Sequence, residues 1–126
     1  MKTDTKNSKY RELENRTENF AKDVINFCLN LKKGTINNEL IKQIIRSGGS
    51  IGANYREANE SLGKKDFKYR IRVSRKEAKE TSYWLELIRK ANPNESKTID
   101  KLSKEVFELR NIFSAILNKA ENKKLD

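Results

Sequence analysis

The chain has 126 residues, 35% of them hydrophobic and 37% charged, with a net charge of +10 and no histidine. One domain with narrow apolar stripes is expected, and the missing histidine excludes Ser–His and Cys–His nucleophile pairs and the usual zinc and iron ligand sets. One proline and five glycines argue against a turn-rich β protein and for long helices.

The opening MKTDTKNSKY is polar and lacks a secretory apolar core, so residues 1–11 are expected to form a flexible N-terminus. No apolar run approaches the ~20 residues needed to span a bilayer. A soluble, cytoplasmic protein is the expectation. Helix one is expected from about Arg16 to Lys33, with Phe20, Val24, Phe27 and Leu31 on one face. Lys32 and Lys33 suit the negative end of its dipole, and Gly34 suits the C′ position. Cys28 shares the apolar face, where a buried, inert thiol is expected.

Asn37 is a candidate cap for helix two, whose stripe is Ile41, Ile44, Gly48, Ile51, Tyr55, Ala58 and Leu62. Gly48, Gly49 and Gly52 fall inside this helix, where each costs about 1 kcal/mol relative to alanine. SGGSIGAN matches neither GxxxxGK[ST] nor GxGxxG, and no strand precedes it, so a phosphate loop is disfavoured. A close crossing is the better account. Helix three, from about Lys64 to Ala91, carries Phe67, Ile71, Ser74, Ala78, Thr81, Leu85 and Ile88, and the middle of that stripe is small. The glycines are therefore expected at a tight contact with helix three or between subunits.

ANPNES breaks the chain, with Asn94 or Ser96 as a cap, and helix four follows from about Lys97 to Lys119. Its stripe is Ile99, Leu102, Val106, Leu109, Phe113 and Ile116. Short links between four amphipathic helices predict an all-α, antiparallel up-down-up-down four-helix bundle over residues 12–122, with 123–126 as a tail.

Between Lys64 and Lys79 stand eight basic residues against Asp66 and Glu77. Lys68, Arg72, Arg75 and Lys79 recur at i, i+4, i+7 and i+11, a line beside the apolar stripe. With Lys64, Lys65 and Lys76 they form a candidate nucleic-acid-binding face, because like charges in a line do not favour helix stability. A solvated face neutralised by other helices is the alternative. Tyr69 and Tyr83 are candidate stacking surfaces, though tyrosine at this spacing more often belongs to a core or interface. Trp84, beside Leu85, is read as an interface anchor with Tyr83. The pairs Glu57/Glu60 and Glu77/Glu80 read more simply as ion-pair partners than as acid–base catalysts. No catalytic residue, metal site or cofactor is expected.

The stretch RSGGSIGANYREANESLGKKDFKYRIRVSRKEAKETSYWLELI resembles the signature of bacterial four-helix bundle proteins named for intervening sequences in 23S rRNA genes. The matching positions are Arg46, Ser47, Ser50, Ile51, Ala53, Asn54, Glu57 and Ala58, then Asp66 and Phe67 after Lys64 or Lys65. Lys76 to Ala78, Glu80, Thr81 and Tyr83 to Leu85 complete the pattern. The resemblance implies a bundle that assembles into a homo-oligomeric ring, typically a pentamer. One branch of the family is the accessory protein of diversity-generating retroelements, which partners a reverse transcriptase and binds nucleic acid. Gly63 stands where the family often has Ser, which predicts a slightly weaker cap on helix three. Two functions are thus expected in competition: an oligomeric adaptor for nucleic acid backbone, or a homo-oligomeric scaffold without that role.

Overall fold

Helix α1 spans Asp4–Leu29, α2 Thr35–Asn59, α3 Lys64–Ala91 and α4 Ser96–Leu125, with one 3-10 turn at Pro93–Glu95. The computed structural model describes the backbone of residues 4–125 and the side chains of residues 8–122. Among these no helix is long and apolar enough to cross a membrane.

Side-chain register gives the topology. Arg70 bonds Asn54, Ser74 the Ile51 carbonyl and Thr81 the Ser47 hydroxyl, so α2 and α3 run in opposite senses. Asn59 bonds Glu14 and Arg56 bonds Glu18 across α2 and α1, and Arg75 bonds Ser114 while Arg89 bonds Asp100 across α3 and α4. The result is the expected antiparallel four-helix bundle. Its core is the sum of the predicted stripes, with Phe20, Ile44, Ile51, Ile71, Leu85, Ile99, Leu109 and Phe113 fully buried. Burial of these side chains supplies most of the stability, because isolated helices with so polar a composition are marginal in water. Cys28 is buried as expected, and burial pushes its thiol up to about 11.

The helix ends differ from expectation. α1 begins at Asp4, so residues 4–11 continue the helix, while residues 1–3 of the expected N-terminal arm lie outside the described residues. α4 likewise runs through residues 123–125 of the expected tail, and Asp126 lies outside the described residues. α1 stops at Leu29, where Asn30 and Leu31 turn their amides back to the carbonyls of Phe27 and Cys28. Lys32 and Lys33 therefore lie beyond it, and Gly34 is the extended N-cap of α2 rather than C′ of α1. α2 ends at Asn59, which leaves Leu62 fully exposed instead of in the stripe, and on α4 Leu117 is buried more deeply than Ile116.

Asn37 is not a cap. Its side-chain amide donates to the Lys32 carbonyl at 2.7 Å and to Asn92 Oδ1 at 2.9 Å, and Asn92 donates back to Asn37 Oδ1 at 2.9 Å. Asn92 also stands at the N-cap of the 3-10 turn that leads into α4. The reciprocal pair clamps two links at one end of the bundle. Asn37→Ala leaves Asn92 short of a partner in a half-buried site and should lower stability by about 1 kcal/mol or more. The Asn37→Ala/Asn92→Ala double variant should lose less than the sum of the single losses in urea unfolding. Additive losses would show that the pair is not a unit.

The glycines also sit differently. A Cβ at Gly48 would meet Val24 at 3.6 Å and Phe20 at 3.9 Å, and one at Gly52 would meet Thr17 Oγ1 at 2.9 Å. All three neighbours belong to α1, not α3. Gly49 faces nothing within 4 Å. The small residues of α3 serve a separate contact, in which Ser74 Oγ donates to the Ile51 carbonyl at 2.9 Å and Thr81 Oγ1 donates to Ser47 Oγ at 2.8 Å. α2 is thus narrow on both sides, with glycine towards α1 and hydroxyl-bearing residues towards α3.

Candidate nucleic-acid interface

α3 starts after Gly63, whose extended backbone offers no side-chain cap, and Lys64 and Lys65 are exposed in its first turn beside Asp66. The amides of that turn and both lysines make this end of the helix strongly positive.

The expected line of Lys68, Arg72, Arg75 and Lys79 is not one solvated stripe. It borders the seam with α4. Lys68 is only 7% exposed, and its ammonium lies 3.4 Å from Glu121 Oε2. Arg72 reaches the same oxygen at 3.3 Å but keeps half of its side chain in solvent. Arg75 is half-buried and donates to Ser114 Oγ at 3.4 Å. Lys68 is therefore an inward cation held by a carboxylate, since an unpaired buried charge is strongly unfavourable. Lys76 and Lys79 are exposed.

A different line faces outward. Lys65, Tyr69, Arg72, Lys76, Lys79 and Tyr83, at i, i+4, i+7, i+11, i+14 and i+18, are all exposed. Tyr69 and Tyr83 each present 57% of their surface. Four cations and two aromatic rings thus share one ridge, bordered by Glu80, which Arg46 holds, and by Glu121, which reaches Arg72. The tyrosines are not core residues. Positions 69, 76 and 83 lie opposite Ala78 and Leu85 on the helical wheel, a signal that the apolar stripe itself contained. Arg70, half-buried beside this ridge, donates to Asn54 Oδ1 at 2.9 Å and places its guanidinium 5.7 Å from the Tyr69 ring centre.

Towards α2 the polar groups are used differently. Arg46 bonds Glu80 at 2.8 Å and stands 3.9 Å from Glu77 Oε1, so this carboxylate pair is an ion-pair cluster, as its spacing suggests. Burial pushes the Glu77 carboxyl above its usual range, Glu80 pushes it the same way, and Arg46 opposes both. Glu77 Oε1 and Trp84 Nε1 are buried without a hydrogen-bond partner among the described residues. Trp84 packs against the core with Tyr83 edge-on to it, ring centres 5.1 Å apart.

These features define a small, strongly basic, all-α bundle in which α3 carries a cationic, tyrosine-bearing outer face. The profile of the 23S rRNA-intervening sequence proteins matches residues 11–115, and the chain belongs to that family. A crystal structure of a protein of unknown function from the S23 ribosomal protein family of Bacteroides thetaiotaomicron VPI-5482 is similar, at 31% identity and a TM-score of 0.75. The match covers 82% of this chain and 96% of that one. No curated protein matches this chain.

Proposed function

We propose that the protein is a non-enzymatic, oligomeric helical adaptor that binds nucleic acid backbone through the outer face of α3, without base specificity. The observation that carries this reading is the exposed ridge of Lys65, Arg72, Lys76 and Lys79 interleaved with Tyr69 and Tyr83. Cations along a helix release counterions from phosphates, and exposed rings give sequence-tolerant stacking. Membership of a family named for 23S rRNA-intervening sequences supports a nucleic-acid setting. The chemistry, where there is any, then belongs to a partner protein, for which the family resemblance suggests a reverse transcriptase.

A salt titration tests it. Affinity for duplex RNA or DNA should fall with salt at a log–log slope of roughly −0.9 per phosphate neutralised. Lys65→Gln, Lys76→Gln and Lys79→Gln should each shallow that slope by about one for unrelated sequences alike, with little change in folding. Lys68→Gln provides the contrast: it should affect stability and leave the slope unaltered. Unchanged binding in the three exposed variants would reduce the ridge to a solvated face.

A second reading, a homo-oligomeric scaffold, is favoured by Trp84. Its indole N–H is buried without a partner among the described residues, beside the exposed Tyr83, as at the edge of a surface that another subunit completes. The two readings are compatible if a ring repeats the ridge in each subunit, and the family resemblance points to five. Light scattering should then give a particle several times the 14.7 kDa of the chain. A monomeric mass at micromolar concentration would remove the ring from both readings.

A further inference from the structure

The α1–α4 seam is the thinnest in the bundle, and near the α2–α3 turn it opens into a cavity of about 920 Å³. Its apolar lining comes from Leu13 on α1, Tyr55 on α2, Phe67 on α3 and Ile112 and Ile116 on α4. That volume lies within the range of about 300–1,000 Å³ typical of small-molecule sites, which combine apolar walls with a few polar groups. Leu62, in the turn that borders the cavity, is fully exposed. A lone exposed leucine means little, but this one extends the apolar lining into solvent.

The polar part of the lining is cationic. Lys9, Lys64 and Lys119 border the cavity, against Glu12 as the carboxylate among the lining residues. Arg16 also lines it, but its guanidinium is held by Glu105 at 2.7 Å and Glu108 at 2.7 Å, so it contributes mainly its stem. The first turn of α3 adds its positive end beside Lys64.

We propose that this cavity binds one fatty acid of about twelve carbons, with the acyl chain on the apolar lining and the carboxylate among the rim lysines. An apolar interior with a cationic rim complements a ligand that has one anionic head and one unbranched tail. A second copy of the chain would have to present a carboxylate beside an unbroken apolar segment to match both parts of the lining. Nucleic acid leaves the apolar lining unused.

The test is calorimetric titration of the delipidated full chain with dodecanoate below its micelle concentration. One saturable site per chain is expected, with 1-dodecanol binding about tenfold more weakly for loss of the charged head. Lys119→Gln should weaken dodecanoate binding by up to about tenfold and leave dodecanol unaffected. Leu62→Ser should weaken both ligands at an unchanged melting temperature, since Leu62 is fully exposed in the free protein. Lys119 and Leu62 lie off the ridge of α3, so neither variant should alter the salt slope of nucleic-acid binding. Absence of saturable binding overturns the proposal, as does equal affinity for acid and alcohol with Lys119→Gln unchanged. Loss of self-association in Ile116→Asp without dodecanoate binding to the parent protein would assign the cavity to a second copy, and also overturns it.

Discussion

Alanine at Gly52 is expected to lower stability by about 1–3 kcal/mol, while alanine at Gly49 raises it by about 1 kcal/mol. Both substitutions gain the same helix propensity, so the difference isolates packing. The added methyl at Gly52 would stand 2.9 Å from Thr17 Oγ1 and 3.1 Å from Thr17 Cβ. Thr17 is fully buried and its hydroxyl donates to the Glu14 carbonyl at 2.9 Å, so it has no free rotation with which to yield. α1 must move away from α2 instead. At Gly49 the methyl meets nothing within 4 Å. Gly48 is intermediate: the nearest atom, Val24 Cγ2, is at 3.6 Å, an ordinary contact, so Gly48→Ala should be neutral or stabilising. Gly48→Leu, by contrast, should overpack Phe20 and Val24. Urea midpoints of the four variants provide the measurement. If Gly52→Ala proved as stable as Gly49→Ala, the close approach of α1 to α2 would not be what requires glycine.

Tyr69→Ala and Tyr83→Ala should each weaken binding to single-stranded RNA or DNA by about 1–3 kcal/mol per stacked base, tenfold or more in Kd. Binding to duplex should hardly change, because paired bases do not offer their faces to an external ring. Both tyrosines are 57% exposed, so the folded bundle should tolerate their loss. The lysine variants of the same ridge should weaken single strand and duplex alike, which separates charge from stacking on one surface. Tyr83 carries a further contrast through its contact with Trp84. A Tyr83→Ala protein that bound single strands normally but changed its mass in light scattering would place this ring in a subunit contact. Equal losses on both nucleic acids, or none, would remove stacking from the mechanism.

Four amphipathic helices and their antiparallel order were legible in the chain, because burial of an apolar face is written locally. Ile71, Leu85, Leu109 and Phe113 recur at helical spacing, and each is completely buried. The basic surplus of α3 was equally plain. Which of its cations meet water was not. Lys68 and Lys76 look alike in sequence, yet Lys68 lies beside α4 and is closed over by Glu121, while Lys76 is exposed. The glycines show the same division. Their presence in an unbroken stripe announces a missing side chain, but whether the intruding neighbour is Thr17 of α1 or a residue of α3 depends on how the helices rotate about their axes. Helix ends depend on distant partners too, as Asn37 does on Asn92, 55 positions away. The sequence by itself determined the helices, their apolar faces and the family, because periodicity and residue type act within a few turns. Tertiary structure alone decided the exposed ridge of α3, the partner of each glycine and the cavity between α1 and α4, because each depends on contacts between residues far apart in the chain.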